Sequence, residues 1–221
     1  MKHLLFFFLV LVLASCSGYR SAMKEAFKLE EAGLRKEAME RYTAIFGAHQ
    51  KADARIGMKR NGQAILDSKF QSARGECMRG NYIEALSMYD AAFAYHLEQQ
   101  ALELKLPSNA QMDKESCRQD YIDYLYSSAE DAVLQERYDE AKTLIQRLYQ
   151  IDRNNKRAQY LDLLCEIIPN YNKGKKAEEL GLWRDAYRYF NEVTQLDAGY
   201  KDALGRRDAA LEKSQVTLAV V

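Results

Sequence analysis

Few side chains in these 221 residues are equipped for chemistry, and their spacing limits what they could do. Of the four cysteines, Cys16 closes the stretch Leu13-Ala14-Ser15-Cys16, directly behind the apolar run Leu4 to Ala14. Cys77, Cys117 and Cys165 fall at no metal-ligand spacing, and no CxxC pair occurs. Each of the three lies in a predicted helix and reads as a small buried core residue. Of three histidines, only His49 and His96 lie beyond the N-terminal apolar run, no HExxH motif is present, and His96 beside Tyr95 reads as a packing or surface residue. The paired carboxylates Glu30/Glu31 and Glu178/Glu179 read as solvated helix faces, because acids are rarely buried. These residues supply no catalytic site, no metal site and no cofactor site, and the chain is expected not to be an enzyme.

The elements that would carry any binding chemistry begin with the N-terminus. Lys2 followed by 11 apolar residues is too short to span a bilayer and fits the core of a secretory signal. Leu13-Ala14-Ser15-Cys16 resembles a bacterial lipobox, in which small residues let the peptidase close on the backbone and the cysteine thiolate is acylated. The resemblance implies a signal peptide over 1–15, a lipidation site at Cys16, and an anchor with a short linker over 16–20. Several acyl chains, at about 0.8 kcal/mol per buried methylene, would hold the protein on a membrane. Ser17 replaces the Asp that resembles an inner-membrane retention signal, and no acidic run follows. The implied location is the bacterial outer membrane, facing the periplasm. In an oxidising compartment three remaining cysteines cannot all pair within one chain; one disulfide fits, and the sequence leaves its pairing open.

Beyond the leader, composition is that of a helical protein: 48% apolar and 29% charged residues with only two prolines. Lys+Arg and Asp+Glu are both 32, so no basic excess points to a nucleic-acid partner. No small-molecule substrate is evident either.

Four segments align without gaps: 32–45, 79–92, 135–148 and 180–193. Each places an alanine (Ala38, Ala85, Ala141, Ala186) four residues before a large apolar residue (Tyr42, Tyr89, Ile145, Phe190). Twelve residues ahead of each alanine stands another small residue: Ala26, Ala73, Ala129, Gly174. Small residues are needed where two helices cross closely, and the large residue one turn on fills the space beside the crossing. Gly33 and Gly80 occupy the turns of the first two units, where positive φ is cheap for glycine.

This pattern resembles the tetratricopeptide repeat. It implies an all-α fold of antiparallel helical hairpins over 21–213, stacked as a divergent superhelix. The alanine spacings, 47, 56 and 45 (85 − 38, 141 − 85, 186 − 141), exceed the family's period, so longer helices are expected. One is expected to run unbroken from Tyr82 to Pro107. Ser108 with Gln111 would then form a capping box for the next. A last helix from about Tyr200 is expected to cap the fourth unit.

The same resemblance implies a protein or peptide partner in the groove of the first helices. The position facing that groove reads Met23, Phe70, Tyr126 and Tyr171; the one four residues on reads Phe27, Arg74, Glu130 and Lys175. Phe70, Tyr126, Tyr171, Arg74 and Lys175 are the expected peptide-binding residues.

The last residues, 214–221, include "VTLAVV" and read as a strand-like tail. The phrase is similar to the opening strand of the curli-secretion-channel lipoprotein family, which would make the tail the start of a further domain. Two functions are expected from different classes. One is a lipid-anchored scaffold for protein–protein interaction, with an assembly lipoprotein like the repeat subunit of the outer-membrane β-barrel insertion machine as the runner-up within that class. The other is the anchor-proximal half of a larger secretion or transport component whose active domain lies beyond Val221.

Overall fold

A computed structural model of the chain describes residues 18–218. Among these the protein is all-α: nine helices packed as consecutive antiparallel hairpins, with no strand. In order they are α1 (18–31), α2 (Arg35–His49), α3 (Ala52–Met78), α4 (Tyr82–Glu98), α5 (Ala110–Leu134), α6 (Tyr138–Ile151), α7 (Lys156–Glu179), α8 (Trp183–Leu196) and α9 (Ala203–Leu218). The chain forms two compact units, Met1–Asp120 and Tyr121–Val221, whose boundary falls within α5.

The four hairpin turns share one backbone solution. Gly33, Gly80, Glu136 and Gly181 all have positive φ, between 59° and 82°. In each turn this residue donates its N–H to the carbonyl three residues back, and the next residue donates to the carbonyl five back: Leu34 to Leu29, Asn81 to Glu76, Arg137 to Ala132 and Leu182 to Ala177. This is the Schellman arrangement, which satisfies carbonyls left open at a helix end. The four positive-φ residues each stand five places before the repeat alanine. The backbone therefore repeats where the sequence does, including the third turn, where glutamate takes a conformation that favours glycine.

Packing follows the small-then-large pattern. Ala26, Ala38, Ala73, Ala85, Ala129, Ala141 and Ala186 are fully buried, as are Tyr42, Tyr89, Ile145 and Phe190 one turn on. In the first unit Tyr42 of α2 lies against Gly57 of α3, where a Cβ would sit 2.6 Å from the ring. In the second, Phe190 of α8 lies against Gly174 of α7, where a Cβ would be 2.8 Å away. The glycines thus allow an aromatic ring to reach the neighbouring helix backbone. Ala203 and Ala210 of α9 are buried with Phe190 and Val193, so the last helix does cover the fourth hairpin.

Several sequence expectations are corrected. The long helix over 82–107 stops at Glu98, followed by a single 3-10 turn, Gln100–Leu102, and an extended strap to Pro107. The added length lies in the first helices of the hairpins, 27, 25 and 24 residues in α3, α5 and α7, against 17, 14 and 14 in α4, α6 and α8. Because α4 is shorter than α3, the strap folds back to bury Leu102 and Leu104 beside Gly62 of α3. The Gln63 amide holds it by donating to the Lys105 carbonyl and accepting from the Lys105 N–H, both at 2.8 Å, and Arg55 donates to the Ala101 carbonyl. His96 meets the Leu104 carbonyl at 3.1 Å. Ser108 does not cap α5: its hydroxyl donates to the Asn109 side chain instead. Residues 214–218, read as strand-like, are the last turn and a half of α9, since a lone strand would leave its backbone groups unpaired whereas a helix satisfies its own. Residues 219–221 of the expected tail lie outside the described residues.

The structure also decides the cysteine pairing that the sequence leaves open. Cys77 at the end of α3 and Cys117 in α5 form a disulfide within the first unit, Cα atoms 5.9 Å apart. Cys165 is the buried free thiol expected, its pKa pushed up by burial.

Candidate functional site

The expected peptide-binding residues do not share one environment. Phe70 is buried in the first-unit core, with ring centroids 5.1 Å from Phe93 and 6.2 Å from Tyr89. Tyr171 is buried in the second-unit core, edge-on to Phe190 and Tyr200, and donates its hydroxyl to Asp202. Tyr126 is half-buried under the Arg157 guanidinium, 3.6 Å from the ring centroid, and donates to Glu130. Arg74 is exposed and paired with Asp113 across to α5, and Lys175 is exposed on α7. Cys16, the expected lipidation site, lies outside the described residues.

Glu30 departs from the solvated face read for it. Its carboxylate is buried where α1, α2 and α3 meet. Arg60 donates to both oxygens, Tyr42 to Oε2 at 3.1 Å and Arg35 to Oε1 at 3.2 Å. Arg35 also reaches Oδ1 of fully buried Asn61, whose amide donates to the Gly57 carbonyl. The Arg60 hydrogen bonds, with those from Asn61 and Tyr42, hold the Glu30 carboxyl below the usual range against the opposing effect of burial. Both oxygens accept two hydrogen bonds each, so the carboxylate joins three helices as a structural clamp. Glu178 is likewise engaged by Arg206, while Glu31 and Glu179 are exposed. Among the described residues no group of three or more acids, histidines or cysteines could hold a metal ion.

A groove of about 730 Å³ in the first unit has space for a ligand. Lys36, Met39, Glu40, Thr43 and Ala44 of α2 form one wall, Tyr95 of α4 with Gln99 just beyond it the other, and Ile65 and Lys69 of α3 the floor. The helical period creates it: on α2 the residues recur at three- and four-residue steps and share one face, and 95 and 99 do the same along α4. Tyr95 crosses the groove to donate its hydroxyl to the Met39 sulfur at 3.4 Å. Thr43 turns its hydroxyl to the Met39 carbonyl at 2.8 Å, so it offers the groove little polarity. Lys69 sits 5.5 Å from the Tyr95 ring centroid. Among the described residues neither Lys36 nor Lys69 has a carboxylate within ion-pair distance.

Sequence reasoning missed this groove because its residues are not the small and large crossing residues by which the repeats align. Met39 and Thr43 each stand one residue beyond the buried Ala38 and Tyr42, and Tyr95 lies outside the aligned segment. The one available signal was the apolar face of α4 continuing past Ala92 to Tyr95. Compared with known proteins, the chain matches no family model and no curated protein.

Proposed function

We propose that this chain is a lipid-anchored, tetratricopeptide-like scaffold that holds partner proteins at the bacterial outer membrane, facing the periplasm. The observation that carries the binding half of this reading is the fourfold hairpin with one turn geometry and one small-against-large packing rule. Repeats of this kind build extended surfaces from residues that need not do chemistry. The Cys77–Cys117 disulfide supports an oxidising compartment. Among the described residues no helix is long and apolar enough to cross a membrane. The proposed attachment is acylated Cys16, on the lipobox-like stretch Leu13-Ala14-Ser15-Cys16.

Cys16→Ala tests the anchor. In fractionated cells the wild-type chain is expected in the membrane pellet and the variant in the soluble fraction. Unchanged membrane association would overturn it. The aromatic residues first expected to bind are poor probes of partner loss: Tyr171→Ala would open the second-unit core, so a lost interaction would report packing rather than contact.

A further inference from the structure

We propose that the groove between α2 and α4 docks an amphipathic helix of a partner protein, its apolar ridge on Met39, Ile65 and Tyr95 and its acidic residues at the end facing Lys36 and Lys69. The inference rests on the reading of this chain as a binding protein and assigns that role to the second-helix side of the first unit.

Geometry favours a helix. Because α2 and α4 are both antiparallel to α3, the order along the groove is fixed: Lys36, Lys69 and Tyr95 toward one end, Ala44, Ile65 and Gln99 toward the other. From Lys36 to Ala44 the wall is about 12 Å long at 1.5 Å per residue, two turns of a partner helix. Side-chain rows on two helix walls leave a valley of the kind a third helix's ridge fills.

Backbone chemistry favours it too. An extended peptide must find partners for its N–H and C=O groups, whereas a helix satisfies its own. The strap in this same unit shows what an extended segment requires, since Gln63 supplies both bonds to Lys105 and Arg55 a third to Ala101. In the groove Met39, Glu40, Thr43 and Ala44 lie inside α2 with their backbone groups already bonded, the Thr43 hydroxyl is turned away, and Gln99 at the far end is the one side-chain amide among the lining residues.

Charge sets the orientation. Lys36 and Lys69 bring two cations without carboxylate partners to one end. Glu40, one turn beyond Lys36, also lacks an ion pair among the described residues and disfavours acid further along. Met39, Ala44, Ile65 and Tyr95 supply the apolar lining, with Met39 able to adapt to different side chains.

The test is selection from a phage-displayed library of random peptides about 15 residues long, four turns of helix, on the purified full-length chain. Synthetic copies of recovered peptides are then measured by fluorescence anisotropy and circular dichroism. Peptides with apolar residues at i, i+4 spacing and acids at one end are expected, gaining helicity when bound. Lys36→Glu with Lys69→Glu should weaken them by about tenfold or more, less so at high salt. Lys36 is exposed and Lys69 half-buried, and unchanged circular dichroism of the variant confirms its fold. The proposal is overturned if no peptide is recovered, if recovered peptides bind without becoming helical, or if sodium palmitate displaces them and itself depends on the two lysines. Helical peptides insensitive to the double change would remove the groove assignment while leaving the scaffold reading standing. The fractionation of Cys16→Ala reads the anchor separately.

Discussion

Glu30 illustrates how one residue's surroundings reverse its meaning. In the sequence it sits beside Glu31 on what reads as a charged helix face, yet the fold turns Glu30 inward and Glu31 outward. Its carboxylate then joins three helices through Arg60, Tyr42 and Arg35. A buried acid is retained at acceptable cost only when every lone pair is met, as here. Because its folded pKa lies below the unfolded value, its contribution to stability is fully present above about pH 4.5 and is lost as pH falls through the lower folded value. Glu30→Gln is expected to cost about 1–3 kcal/mol at neutral pH and to flatten the acid limb of a urea-denaturation series. An unchanged acid limb would show that Glu30 does not drive it.

Among the elements, the hairpin turn is the repeated unit. Glycine fills three of the four left-handed positions and Glu136 the fourth, at φ 59°. A non-glycine residue there costs about 1–2 kcal/mol, partly offset because glycine loses more freedom on folding. Glu136 keeps a 3.3 Å contact from Asn172, too exposed to offset the backbone cost. Glu136→Gly should therefore stabilise the protein by about 0.5–1 kcal/mol, seen as a higher urea midpoint with an unchanged slope. A lower midpoint would mean the side chain contributes more than the turn geometry costs. The strap after α4 is the complementary case, an element set by what the longer α3 leaves uncovered rather than by its own propensity.

For the whole molecule, the division into two units makes the disulfide a local device. Cys77 and Cys117 are 40 residues apart in sequence, and both lie in Met1–Asp120. Closing a loop of that length stabilises by about 2–4 kcal/mol in the chain-entropy account. Cys77→Ser with Cys117→Ser should speed hydrogen exchange in α3 and α4 while leaving α7 and α8 as protected as before. Equal loss of protection in both pairs of helices would show that the units unfold as one.

The sequence alone determined the helical class, the four hairpins and their crossing residues, because a small residue at a crossing and a large one a turn later are local requirements that leave a fixed spacing. It also carried the turns at Gly33 and Gly80, where only conformation matters. Tertiary structure decided the rest. Which cysteines pair depends on which helix ends meet. Whether Phe70 and Tyr171 face a ligand or the core depends on how each hairpin rotates against its neighbour, and here both are buried. The Lys36–Tyr95 groove exists only because α2 and α4 flank α3, a juxtaposition of residues about sixty apart in the chain that no local pattern encodes.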